Sequence, residues 1–111
     1  MARGARRPRA PPKVSRPLLL EPEAERDIVE ATAWYNAQRP GLGAEFFAEV
    51  RRAMKRVELA PERFAGVEGE IRRVLLHRFP YGLYYVIDSD LVAVIACVHG
   101  RRHPDTWRTR R

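Results

Sequence analysis

Between residues 99 and 107 the chain reads His99-Gly100-Arg101-Arg102-His103-Pro104-Asp105-Thr106-Trp107, which gathers two imidazoles, two guanidiniums, a carboxylate and an indole. Upstream lie a further arginine pair, Arg72 and Arg73, and a third histidine, His77. Cleaving a phosphodiester through a 2′-hydroxyl needs a group to take that proton, cations for the charged phosphorane and an acid for the leaving oxygen. Arg72, Arg73, Arg101 and Arg102 can supply the cations. His99, His103 or His77 can supply proton transfer, since an unperturbed imidazole titrates near pH ~6.5. The bland alternative is a solvated strand end, with Trp107 folding back to cap the core. For Trp107 capping is the better reading, and for the arginine pair the two are balanced. His99 and His103 stand four apart on an extended or irregular segment, which does not bring two imidazoles onto one ion, so no metal site and no cofactor is expected. Cys97 has apolar neighbours and reads as packing rather than as a nucleophile.

These residues follow Leu91-Val92-Ala93-Val94-Ile95-Ala96-Cys97-Val98, eight apolar residues of which half are β-branched. That run predicts a strand covered on both faces and central to a sheet, and a rigid strand end is a common place to mount a site. Working back, Asp88-Ser89-Asp90 is a turn, Pro80 to Asp88 a strand and Ile71 to Phe79 another. In the strand from Pro80, alternation puts Tyr81, Leu83, Tyr85 and Ile87 on one face and Gly82, Tyr84 and Val86 on the other. Phe64, Gly66 and Gly69 read as a loop. Ala24, Ile28, Ala31 and Tyr35 recur at helical spacing from Glu23 to Gln38. A second helix from Ala44 to Leu59 carries Phe47, Val50, Met54 and Val57 as its stripe, with Phe46 and Ala53 beside it. Arg39-Pro40-Gly41-Leu42-Gly43 joins the two as an antiparallel hairpin. Leu18-Leu19-Leu20 is a short first or edge strand. The expected fold is α+β, a helical hairpin packed on a small antiparallel sheet in the order β-α-α-β-β-β.

Trp34 and Tyr35 are about 100° apart on their helix, so one is partly exposed; ordinary core-edge packing competes with a partner contact there. Arg51, Arg52, Lys55 and Arg56 lie opposite the second helix's stripe and read as a solvated face.

The chain of 111 residues carries 21 basic and 14 acidic side chains, net +7. Residues 1–16 account for +6 and residues 99–111 for +4, leaving −3 for residues 17–98. The fold is therefore not a basic domain, and its pI does not argue for direct nucleic-acid binding. Residues 1–16 (MARGARRPRAPPKVSR) have almost nothing to bury and predict a disordered basic tail ahead of one domain at 17–111, with Val14 as an alternative start of translation. One cysteine fits a reducing cytoplasm, no apolar run nears the ~20 residues of a membrane span, and no signal peptide is evident.

In their order, Pro22-Glu23-Ala24-Glu25-Arg26-Asp27-Ile28, Trp34-Tyr35, Arg73-Val74-Leu75-Leu76, Phe79-Pro80-Tyr81-Gly82-Leu83-Tyr84-Tyr85-Val86 and the segment from His99 to Trp107 resemble the RelE/ParE superfamily of type II toxin-antitoxin toxins. The resemblance spans about residues 17 to 107 and is closer to the ParE branch, also labelled plasmid-stabilisation proteins. It implies a small toxin neutralised by a cognate antitoxin that wraps its sheet and helices, with operator DNA bound only through the antitoxin. ParE toxins poison DNA gyrase and RelE toxins cut messenger RNA on the ribosome. Two nuclease positions of RelE are not matched: an arginine falls where this chain has Tyr81, and a catalytic tyrosine where it has Trp107, which has no ionisable hydroxyl. Arg101 alone maps onto a nuclease position.

The sequence thus favours a ParE-like toxin that binds an essential target, DNA gyrase first, rather than acting by its own chemistry. The target contacts are Arg101, Arg102, His103 and Trp107, and the antitoxin contacts Trp34, Tyr35 and Arg73. One alternative is a ribosome-dependent endoribonuclease using Arg101, His99, His103 and Arg73. Another is a non-toxic member that acts only in an antitoxin and operator complex.

Overall fold

A computed structural model describes residues 16–102 and 104–110. The expected basic tail and Val14 lie outside the described residues, except Arg16, which meets Glu62 at 3.4 Å. The elements are β1 (Leu18–Leu20), α1 (Pro22–Gln38), α2 (Leu42–Leu59), a 3-10 turn at Pro61–Arg63, β2 (Gly66–Glu68), β3 (Ile71–Leu75), β4 (Tyr81–Asp88), β5 (Leu91–His99) and α3 (Asp105–Arg108). One five-stranded sheet runs β1-β5-β4-β3-β2. All neighbours are antiparallel except β1 and β5, which pair in parallel from Leu18 opposite Val92 to Leu20 opposite Val94.

The apolar octet is therefore an interior strand, as expected, although β4 rather than β5 is the middle one. Both of its faces are covered. On one, α1 and α2 bury Val92, Val94 and Cys97 together with Leu83 and Tyr85 of β4. On the other, Ala93, Ile95, Ala96 and Val98 form a second cluster with Tyr84, Val86 and Trp107. The faces predicted for β4 are those observed. Between Tyr84 and Tyr85 the register with β5 slips by one, so Ile95 and Ala96 both fall in the second cluster; this is a β-bulge.

Four sequence expectations change. The sheet is not wholly antiparallel, because the chain rises through β1 and returns to β5 in the same direction. Strand β3 stops at Leu75 rather than Phe79, since Arg78 takes a positive φ of 72° and Leu76 N–H already closes on Tyr81 O. The loop at 64–70 contains β2, which turns into β3 through Gly69 at φ 55°. The buried stripe of α2 is Phe46, Val50, Ala53 and Val57, while Phe47 is 43% exposed. Gly43 explains that rotation: a Cβ there would stand 2.6 Å from Thr32 O of α1, so the helices cross with Gly43 inward, and 46, 50, 53 and 57 follow it. Asn36 Oδ1 accepts the N–H groups of Gly41 (2.9 Å) and Gly43 (3.3 Å), capping α2 from the end of α1.

Candidate binding groove and cationic rim

Strand β5 outlasts its neighbour. The last main-chain link to the β1 side is Glu21 N–H to Val94 O at 3.0 Å, after which the chain turns into α1. Beyond the bulge two side chains take over the missing strand's role. Asp27 Oδ2 accepts the Cys97 N–H at 3.0 Å, and Arg110 Nη1 donates to Ile95 O at 3.0 Å. The two are paired with each other, Nη1 to Oδ2 at 2.6 Å and Nη2 to Oδ1 at 3.3 Å. Burial and the Asp27 charge act on both sides of this arrangement: the Asp27 hydrogen bond raises the Arg110 pKa, while burial first and Asp27 second push the Cys97 thiol up to about 12. Cys97 is thereby held as an unreactive thiol, in line with packing.

Arg110 is one anchor of a C-terminal strap laid over the sheet's second face. Trp107, 7% exposed, stacks on Tyr84 with centroids 4.7 Å apart and planes 17° off parallel. Arg108 pairs with Glu68 at the far side of the sheet at 2.8 Å and with Asp105 at 3.2 Å. Two of the C-terminal arginines are thus consumed in holding the strap.

Arg101 and Arg102 are not. Both are exposed, and among the described residues neither has a carboxylate within salt-bridge distance. The turn carrying them is tied down: Gly100 N–H donates to Pro80 O at 2.8 Å, Arg102 N–H to His99 O at 2.9 Å and Arg101 N–H to His99 Nδ1 at 3.0 Å. The last bond makes Nδ1 an acceptor and puts the imidazole proton on Nε2.

Arg102 and His99 close one end of an open groove of about 490 Å³ lined also by Asp27, Glu30, Trp34, Tyr81 and Cys97. Its walls are α1 and the bare edge of β5. Trp34, 57% exposed, offers a ring edge-on to Tyr35. Tyr81 packs against His99 at 5.5 Å, and burial raises its phenol pKa, with Arg102 opposing.

The structure brings together Trp34, His99 and Arg102, and adds Tyr81, Asp27 and Glu30, which sequence reasoning did not single out. It separates the others. His103 lies outside the described residues. Tyr35 faces the core edge, within 5.1 Å of Phe46 and 4.9 Å of Phe79. Trp107 is packed under the strap, the placement its capping reading called for. Arg73 is exposed on β3 with its stem against Gly82, and His77 sits exposed in the β3–β4 loop. Arg72, weighed as a phosphate cation, instead donates to Glu62 O and Phe64 O and fixes the turn before β2. Asp27 had one available signal: it is the acid in α1 that falls between the buried positions Ala24, Ile28 and Ala31. Arg110 had none.

The helical hairpin lies on one face of a mixed five-stranded sheet, the α+β arrangement expected for small toxins of the RelE/ParE kind. The family model for the ParE toxin of the type II toxin-antitoxin system parDE matches residues 18–104, and the chain belongs to that family. A solved structure of the chromosomal ParDE TA system from P. aeruginosa is similar at a TM-score of 0.69 with 13% identity, over 77% of this chain and 96% of that one. At that identity the likeness is one of fold. No curated protein sequence matches significantly. Family membership implies an antitoxin partner. No helix among the described residues is long and apolar enough to cross a membrane.

Proposed function

We propose that this toxin acts in the cytoplasm by binding an essential target, DNA gyrase first among them, through Arg101 and Arg102 and the next residue in sequence, His103, with Trp107 serving to set the turn. One observation carries the reading: these two guanidiniums are exposed and uncompensated among the described residues, whereas Arg108 and Arg110 nearby are paired. Long cations left unpaired on a turn held by two main-chain hydrogen bonds and one to the His99 imidazole are placed to meet an acidic surface. The antitoxin neutralises the toxin by occupying the groove at Trp34, which Arg102 also lines, so that antitoxin and target contacts exclude each other.

The endoribonuclease reading keeps a specific support, the meeting of His99, Tyr81 and Arg102 in one groove. It is the weaker of the two, because a phenol whose pKa is raised by burial is a poor base and His99 Nδ1 is already engaged. Inducing the protein in a bacterial host separates the readings. Filamentous cells with arrested replication support gyrase, early loss of translation with cut transcripts supports the ribosome, and unimpeded growth supports a member that only pairs with antitoxin and operator. Arg101→Ala with Arg102→Ala abolishes growth arrest with the fold intact; retained toxicity would falsify the rim assignment.

A further inference from the structure

The turn that presents Arg101 and Arg102 begins at His99. Arg102 N–H closes it on His99 O at 2.9 Å, which makes His99 the first of its residues and the two arginines the third and fourth. The first position of such a turn is ordinarily held by Asp, Asn or Ser, whose side chain accepts the N–H two residues on and so satisfies a donor that the turn's own closing bond leaves unpaired. Here an imidazole does that: Nδ1 accepts the Arg101 N–H at 3.0 Å. The fold places the ring from two sides. His99 ends β5 opposite Tyr81 of β4, whose ring packs on it at 5.5 Å, and the Gly100 N–H is held by Pro80 O at 2.8 Å.

An imidazole differs from a side-chain amide in one respect that matters here: it accepts only while it is neutral. Protonation puts a hydrogen on Nδ1, which turns the acceptor into a donor facing another donor and sets a third positive charge beside the two guanidiniums. The bond to Arg101 is therefore present on the alkaline side of the ring's own titration and lost as pH falls through it. The charged and titratable groups around the ring are Arg102 on the turn, the Tyr81 phenol on β4, and Asp27 and Glu30, which line the same groove from α1. Asp27 is already engaged by Arg110 and the Cys97 N–H.

We propose that His99 is a positioning residue for the cationic turn: its neutral imidazole fixes the main chain under Arg101 and so directs Arg101 and Arg102, and acidification releases both. The inference deepens the target-binding reading and rests on it for its biological consequence, while the turn itself is tested without a target. It gives the imidazole a main-chain partner rather than a substrate proton. A side chain with no acid-base chemistry can then replace it. Asn carries its Oδ1 on Cγ, as His carries Nδ1, and supplies the same acceptor; Ala supplies none.

The purified full chain, His99→Ala and His99→Asn are compared by amide NMR between about pH 8 and about pH 5, with the ring nitrogens of His99 followed in the same samples. In the unaltered chain, protection of the Arg101 amide against exchange, corrected for the intrinsic rate, should fall about tenfold with the midpoint of the His99 ring. His99→Ala should lack that protection throughout, and His99→Asn should keep it with no dependence on pH. In a bacterial host, His99→Ala should require about tenfold more protein for growth arrest, and His99→Asn should restore it. An Arg101 amide indifferent to the ionisation of His99, or to its removal, would overturn the proposal. So would loss of toxicity in His99→Asn with its Arg101 amide still protected, which would mark the imidazole as a proton carrier in chemistry. Retained toxicity of Arg101→Ala with Arg102→Ala would remove the target reading alone, because the amide measurements do not depend on it.

Discussion

Replacing Asp27 by alanine removes three contacts at once: the pair with Arg110 at 2.6 Å, its second arm at 3.3 Å and the acceptor for Cys97 N–H at 3.0 Å. The two side chains are 14% and 18% exposed, nearer to a buried pair than to a surface one. Breaking a fully buried pair by removing one partner costs ~3–5 kcal/mol, against ~0–1 for an exposed pair. The orphaned Cys97 N–H adds ~1 kcal/mol to whatever survives of the pair's own loss. About 3 kcal/mol is the expected total for Asp27→Ala, and about 2 kcal/mol for Arg110→Met, which keeps the apolar stem and leaves Asp27 its bond to Cys97. In a domain of this size each kcal/mol lowers Tm by ~4–8 °C, so Asp27→Ala should melt roughly 15 °C lower. Urea and thermal unfolding followed by circular dichroism give the four corners of a double-mutant cycle. The pair predicts that the double variant loses about 1.5 kcal/mol less than the two single losses together. A coupling within ~0.5 kcal/mol of zero would show that the strap and the edge of β5 are held by other contacts, and the account of Asp27 and Arg110 as a substitute strand would be wrong.

Other expectations follow from particular contacts. Gly43→Ala should destabilise by more than ~1 kcal/mol despite alanine's better helix propensity, because its Cβ falls 2.6 Å from Thr32 O and 2.9 Å from Asn36 Cβ; unchanged stability in urea would refute the close crossing. Arg78, hydrogen-bonded to Glu45 at 2.7 Å, is the first cause of a lowered Glu45 pKa, with Arg39 assisting. The stability from that contact is present above the ordinary carboxylate range and lost as pH falls through the depressed value, and Arg78→Ala should move the Glu45 titration upward by NMR. At the alkaline end, burial pushes Tyr85 to about 12 from 10.0 and Cys97 to about 12 from 9.0. Both are raised, so their contribution is whole below pH 9.0 and declines as pH climbs toward 12, and native Cys97 should resist iodoacetamide at pH 8 until the chain unfolds. Tyr85→Phe, which leaves Pro61 O without its 2.6 Å partner, should cost ~1–2 kcal/mol and flatten part of that alkaline decline.

What was legible in the sequence was what repeats. The α1 face at Ala24, Ile28 and Ala31, the two faces of β4 and the doubly covered β5 each rest on several residues that agree in period, and periodicity reports burial directly. Features set by single contacts were not legible. Strand β2 has three residues with one apolar side chain, so pairing with β3 rather than composition makes it a strand. The α2 stripe had two candidate settings one residue apart, and Gly43 decides between them through its approach to Thr32, a contact between helices that no period within α2 encodes. Parallel pairing of β1 depends on where the hairpin returns the chain.

The same distinction bears on the site. Arg101 and Arg102 were visible because charge at the end of an apolar strand is conspicuous, but their availability depends on Arg108 and Arg110, of identical type a few positions on, being spent elsewhere. Arg110 reaches Asp27 across 83 positions of sequence and meets it at a bulge. The bulge turns Ile95 and Ala96 to one face and shifts which main-chain groups point at the bare edge; Asp27 and Arg110 close the first two of these, and the next two, the Cys97 carbonyl and the His99 N–H beside Trp34 and Arg102, meet no partner among the described residues. The extent of the groove is therefore set by the reach of one carboxylate and one guanidinium. Longer coverage by β1 would have paired the edge and left the cationic turn as an isolated patch, whereas its early end joins apolar wall, polar floor and free cations into one surface.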